Sequence, residues 1–325
     1  MPPSQTERPN ILRKFEFIKV LGSASGPAVA LVITGLVFTI GSPDFLSVSN
    51  GVNILMQGTV LLLVSFGMGL TILTGGIDLS VGAVLGLSGV TMGILMREGV
   101  PLGLAFAAGM AVASTVGLLN GILVVKANLP PFVATFGTMG MAHGLALVLS
   151  KEGSVWGIDP RFRWFVEGHI AGLPVPFVLA VTLGLFFWGL LRHTAYGMRL
   201  YAIGGNQEAA QASGVPVPLY KCSVYIISGA ITGLASALLV ARMNSALPTA
   251  GLGYEWDSMA AAVVGGVAFE GGVGGIPGII VGAALIVVVR NGLNLLGMGM
   301  YPQVVVIGLI IIGAFIIEKF YRTKG

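Results

Sequence analysis

The stretch Gly204-Gly-Asn-Gln-Glu-Ala-Ala-Gln-Ala-Ser-Gly214 is a polar island in a chain otherwise made largely of apolar residues and glycine. It has the grammar of a short helix. Asn206 suits an N-cap, Glu208 falls in the first turn where the helix dipole favours an anion, and Gly214 suits a left-handed stop. Val215 and Pro216 follow, and proline cannot continue the hydrogen-bond ladder. On either side, residues 168–191 and 222–241 contain no Asp, Glu, Lys or Arg. Each is close to or above the roughly 20 residues with which a helix crosses the hydrocarbon core. A capped helix of small residues held between two membrane spans offers a neighbour something to grip. The plainer alternative is a connecting helix with no partner.

Outward from the island, the same pattern repeats. Charged residues make up 9% of the chain, apolar ones 55%, and the mean hydropathy is +0.93. A soluble domain carries nearer a quarter charged residues, so the chain is an integral membrane protein. Further charge-free stretches cover residues 45–77, 79–96, 99–125, 127–150, 271–289 and 291–317. Period-two alternation is absent, which argues against a β-barrel. The expected fold is all-α, with about ten transmembrane helices near 22–42, 53–75, 78–96, 101–125, 130–150, 173–192, 219–242, 256–270, 274–295 and 299–318. The eighth is too short to cross comfortably alone and suits a half-helix or a re-entrant segment.

The basic residues orient these spans. Arg8, Arg13, Lys14 and Lys19 precede the first, Arg192, Arg199 and Lys221 flank the island, and Lys319, Arg322 and Lys324 close the chain. Ten spans put all three groups on one side, which the positive-inside rule makes cytoplasmic. The expected organisation is a cytoplasmic tail at 1–20, a membrane domain at 21–319 with a cytoplasmic loop at 193–221, and a cytoplasmic tail at 320–325. The longest opposite-side loop, about 151–173, holds Trp156 and Trp164, which suit an interfacial belt. The net charge of +4 comes from the cytoplasmic flanks and reads as orientation, not nucleic-acid binding. Cys222 is the single cysteine, which excludes an internal disulfide and a cysteine-cluster metal site. The first apolar run lacks a clear small-x-small exit and reads as an anchor, not a cleaved signal.

Glycine occurs 50 times, and its pairs allow close helix packing or broken helices. Two segments are distantly alike: TGGIDLSVG at 74–82 and EGGVGGIPG at 270–278 each place a glycine pair and a polar residue at a turn between spans. This hints at the internal repeat that transporters use, with the solute path at the repeat interface.

The island resembles the EAA-x-x-x-G coupling loop in the membrane subunits of ABC importers, the loop that docks into the ATPase. Glu208, Ala209, Ala210 and Gly214 fill the four motif positions, and Gly205 and Asn206 lead into them. LTGGIDLSVG (73–82), NLPPFVATFGT (128–138), RMNSALPTAG (242–251), AAVVGG (261–266) and NGLNLLG (291–297) are similar to the permeases of ribose, xylose and arabinose importers, in the family's order from about residue 50 to 320. The resemblance implies a permease in the bacterial inner membrane and a path formed with a second copy or a related permease. It also implies a cytoplasmic ATPase docked at 207–213 and a periplasmic or lipid-anchored sugar-binding protein on the outer loops. No G-x-x-x-x-G-K-[ST] phosphate loop occurs, so no cofactor is expected on this chain, and ATP would be bound by the partner subunit.

Asp78 is the most conspicuous acid. At the bilayer centre it would cost about 2.5–3.5 kcal/mol. The N-cap of the third span is a cheaper place, and direct solute contact is the alternative; both lie near a cytoplasmic gate. Asn120, Asn128, Thr135, Thr138, His143, Asn244, Asn291 and Asn294 are polar side chains inside or beside spans. Interhelical hydrogen bonds account for any one of them. As a set without paired charges they suit a path for a neutral, polyhydroxylated solute, lined by Asp78, Asn120, Asn128, Thr135, Thr138, Asn244, Asn291 and Asn294. His143 has no His, Cys or acid at ligand spacing, which argues against a metal. Glu270 and Arg290 could both approach the membrane interior, as an ion pair or in an interfacial placement, and Arg242 is expected at the outer face. The competing function is a secondary transporter driven by protons or sodium, which needs an ionisable relay built from Asp78, Glu270 and Arg290.

Overall fold

The computed structural model describes residues 26–322. The tail expected at 1–20 and the basic residues Arg8, Arg13, Lys14, Lys19 and Lys324 lie outside the described residues. Every expected span coincides with a helix: α1 (Gly26–Gly41), α2 (Val48–Leu73), α3 (Val81–Arg97), α4 (Leu102–Val125), α5 (Pro131–Ser150), α7 (Val175–His193), α10 (Val217–Met243), α11 (Tyr254–Val264), α12 (Ile276–Leu295) and α13 (Met300–Arg322). Among the described residues, six of these are long and apolar enough to cross a bilayer: α2, α4, α5, α7, α10 and α12. The chain is therefore a mainly helical, multi-pass membrane protein. A 3-10 turn (Pro160–Arg163), a short α6 (Trp164–Glu167) and a hairpin of β1 (His169–Ile170) with β2 (Leu173–Pro174) join α5 to α7.

α2 and α10 form the centre, and small residues let their neighbours close on them. Ser228 of α10 lies against Gly67 of α2. A Cβ on Gly121 of α4 would come 2.7 Å from Cys222 Sγ, and one on Gly233 of α10 would come 3.0 Å from the Ala113 Cβ. Gly117 is pressed against the Tyr225 backbone in the same way. With lipid tails as apolar as leucine, such close approach and interhelical hydrogen bonds, not water exclusion, hold the bundle.

Two helices are short for a structural reason. α3 has 17 residues and α11 has 11, or about 25 and 16 Å of helix. Along α3, Gly93 meets Ala246, Gly86 meets Pro248 and Gly82 meets Gly251, so the segment after α10 runs back down α3 from its C-terminal end to its N-terminal end. A backbone bridge between Val155 and Ala246 pins the upper end of that segment to the α5–α7 connection. α11 starts where this descent stops and continues to the far end, where Gly265 lies against Gly278 of α12. The two half-length helices thus meet N-terminus to N-terminus, beside Glu255 of α11 and Gly82 of α3. The eighth expected span, 256–270, is in fact the shorter α11. Its helix stops at Gly265 because Gly266 adopts φ +85° and Val267 N turns back to Ala262 O (3.0 Å).

α2 and α11 end in the same kind of glycine turn. α2 ends with Gly75 N bonded to Ile72 O (2.8 Å) and Gly76 N to Thr71 O (3.0 Å). α11 ends with Gly266 N bonded to Val263 O (2.9 Å) and Val267 N to Ala262 O. These are the paired bonds of a Schellman stop.

Candidate functional site

The polar island folds as a capped helix. α8 (Ala195–Gly205), which sequence reading missed, leads into it; Thr194 caps α8 by accepting from Gly197 N (3.3 Å). The available signal was a Thr before an apolar i, i+3 pair, Leu200 and Ile203, both buried. α9 (Gln207–Ala212) follows at once. Asn206 Oδ1 accepts from Ala209 N (2.9 Å), Gly214 N donates to Gln211 O (3.0 Å), and Val215 N donates to Ala210 O (3.1 Å). Gly214 sits at φ +81°, the left-handed geometry this stop demands. Ala210 is buried against the core, whereas Gly205, Asn206, Glu208, Ala209 and Gly214 are exposed. One apolar foot thus fixes the helix, and the remaining face is open.

The second constellation centres on Asp78, and it corrects the expected N-cap. α3 begins at Val81, and its cap residue is Ser80. Asp78 is 1% exposed. Its Oδ1 accepts from Ser80 N (3.1 Å), Ser80 Oγ (2.6 Å) and Asn120 Nδ2 (3.3 Å), and its Oδ2 accepts from Ser228 Oγ (3.0 Å). Asn120 Nδ2 also donates to Ser80 Oγ (2.8 Å), and Thr138 Oγ1 donates to Asn120 Oδ1 (2.5 Å). Tyr225 adds a bond to Ile77 O (3.2 Å). A buried carboxylate is tolerated when its lone pairs are filled, and these donors come from the α2–α3 turn, α4 and α10, with α5 one bond further out. The network ties four parts of the bundle to one side chain.

Of the other residues expected along a path, Thr135 donates to Pro131 O of its own helix (2.8 Å) and is buried one turn before Thr138. Asn291 lies elsewhere: it and Asn50 exchange two side-chain bonds (2.9 and 2.8 Å), joining α12 to α2. Asn128, Asn244 and Asn294 are exposed. Asn128 and Asn244 take φ +54° and +50°, where asparagine is better tolerated than most residues, and Asn244 caps α10. Arg290 pairs with Asp257 of the facing helix α11 (2.7 Å), and Glu270 is exposed on the turn after α11. His143 Nδ1 has no partner among the described residues. Arg242 is exposed in the last turn of α10. Sequence reading missed Ser80, Ser228, Asn50 and Asp257; a Ser or Asn on an apolar helix gives no local sign of which carboxylate or amide it will meet.

A cavity of about 530 Å³ opens between α2, α7 and α12, lined by residues such as Ile54, Val181, Gly184, Ile280 and Val287. Its one hydroxyl, on Thr59, donates to Leu55 O (2.8 Å), so the cavity offers little to a polyol. On the α5–α7 connection, Asp159 pairs with Arg161 (2.6 Å) and Arg163 with Glu167 (2.5 Å). The bond from Arg161 holds the Asp159 carboxyl below its usual range.

A multi-pass bundle built around broken helices, with an exposed capped helix on a loop between two spans, is the architecture of a transporter's membrane subunit. Residues 50–315 match the family described as "Branched-chain amino acid transport system / permease component", and the chain belongs to that family. It is 40% identical over 296 residues to the ribose import permease protein RbsC of Bacillus subtilis, covering 90% of this chain and 92% of that one. Similarity extends to the D-allose transport system permease protein AlsC of Escherichia coli, at 38% over 296 residues (90% and 91% of the two chains). The galactose/methyl galactoside import permease protein MglC of E. coli is 33% identical over 334 residues (96% and 99%).

Proposed function

We propose that this chain is the permease subunit of an ATP-driven importer that carries a monosaccharide of the ribose, xylose or arabinose kind into the cytoplasm. The observation that carries the reading is α9, a capped, exposed helix between two spans, on a chain closely related to ribose permeases. In this reading ten segments cross or enter the bacterial inner membrane, and both termini and α9 face the cytoplasm. Gly205, Asn206, Glu208, Ala209, Ala210 and Gly214 form the seat of a separate ABC ATPase, which binds the ATP. Two permeases, identical or related, enclose the path, and a periplasmic or lipid-anchored binding protein delivers the sugar to the outer loops. Asp78, Asn120, Thr135 and Thr138 lie at the inner gate of that path, with Asn128, Asn244, Asn291 and Asn294 further along it. Neutral amides and hydroxyls suit an uncharged solute with many hydroxyl groups. Much of the selectivity rests with the binding protein.

The test is on α9. Glu208→Lys places a cation at the positive end of the helix and reverses a charge on the exposed face. Gly214→Val strains the left-handed stop by about 1 kcal/mol or more. Both variants should insert at the normal level yet lose the ATPase on co-purification, or hold it without sugar-coupled hydrolysis. Normal sugar uptake by both would make α9 a mere connector.

A further inference from the structure

We infer that Gly204 is the positioning residue through which a movement of α9 reaches both halves of the bundle. The inference rests on α9 being the ATPase seat. Immediately before α9, the last turn of α8 is pressed against two other turns with no side chain between them. A Cβ on Gly204 would overlap the carbonyl oxygen of Leu73, the last residue of α2, and the amide nitrogen of Gly272. A Cβ on Gly271 would lie 2.8 Å from Gly75 N and 3.0 Å from the Gly204 Cα, and one on Gly272 would lie 2.6 Å from Gly205 N. Gly272 N donates to Leu73 O (2.9 Å), and the Tyr201 hydroxyl of α8 donates to Gly274 O (2.8 Å).

The three segments meet as backbone on backbone. One is the α8–α9 joint, one is the turn that runs from α2 to Asp78 and α3, and one is the turn between α11 and α12. A contact made by long side chains absorbs a shift by changing rotamers. A contact between peptide groups at van der Waals distance transmits it, because close-packed interiors deform little. The two receiving turns each connect to one of the half-length helices whose N-termini meet at Gly82 and Glu255. A displacement of α9 is therefore delivered at once to the root of α3 and to the end of α11, on both sides of the Glu255–Gly82 contact. Asn206 serves as both the end cap of α8 and the N-cap of α9, which leaves no slack residue between the seat and the junction.

The experiment compares Gly204→Ala with Gly189→Ala on α7, a position where a Cβ meets nothing within 4 Å. The permease is co-expressed with its ATPase, reconstituted with the sugar-binding protein, and assayed for ribose moved per ATP hydrolysed. Gly204→Ala should still co-purify with the ATPase, because the open face of α9 is untouched, but ribose moved per ATP should fall about tenfold. Gly189→Ala should stay within about twofold of the unaltered protein. Tyr201→Phe, which removes a single hydroxyl, should lower the same ratio severalfold and serves if Gly204→Ala does not insert. A normal ratio in an assembled Gly204→Ala complex, or in Tyr201→Phe where the first variant is lost, would overturn the inference. Failure of the unaltered permease to hold any ATPase would instead remove the reading of α9 itself.

Discussion

Asp78 shows what one side chain does when it is buried with four donors aimed at it. Its two oxygens play different parts. Oδ1 organises the turn before α3 and draws in Asn120, while Oδ2 takes the Ser228 hydroxyl from α10. Replacing the acid by its amide keeps the shape but puts a donor among donors. Asp78→Asn should therefore lose about 1–3 kcal/mol, the cost of a buried polar group left without a partner. The purified permease in detergent should melt at a lower temperature, and Ser228→Ala should show a smaller loss of the same sign. An unchanged melting temperature for Asp78→Asn would mean that the carboxylate is not the centre of the network. The Arg290–Asp257 pair is a further charged contact between helices, and its 30% exposed arginine makes it the weaker anchor.

Among the elements, α3 is the one whose sequence and surroundings are most closely matched. Its glycines at 82, 86 and 93 face the descending segment 246–251, and that approach is what brings the start of α11 to the N-terminus of α3. Gly86→Leu would drive a side chain into the Pro248 carbonyl. The segment would have to move away, at a cost of about 1–3 kcal/mol for an overpacked site. Gly103→Leu on α4, where nothing lies within 4 Å, should change stability by no more than about 0.5 kcal/mol. The fraction of monodisperse protein on size-exclusion chromatography after graded heating measures both. Equal behaviour of the two variants would contradict the close contact along α3. α9 makes the complementary case: short helices are marginal alone, so its caps at Asn206 and Gly214 and the single buried foot at Ala210 do the holding.

At the scale of the whole molecule, the half-length helices, the central pair α2 and α10, and the glycine junction form one connected frame with α9 at one end and the α5–α7 connection at the other. If the α9 end is cytoplasmic, single cysteines at Gln211→Cys and Arg161→Cys, in a Cys222→Ser background, should react with a membrane-impermeant maleimide from opposite sides, Gln211→Cys from the cytoplasm. Reaction of both from outside would reverse the orientation drawn from the basic flanks. Much of this frame was legible in the sequence. The apolar, charge-free runs placed the long helices to within a few residues, since a bilayer demands length and low charge whatever the neighbours are. Asn206, Glu208 and Gly214 announced α9, since capping is local chemistry written within one turn. Which polar groups would meet was not legible: Asp78 with Ser228 is a contact across 150 residues, and Asn50 with Asn291 one across 241. The descent of 246–251 along α3 and the junction at Gly204 were likewise decided by tertiary structure. A glycine records only that a backbone may come close, and the folded bundle alone determines which backbone does.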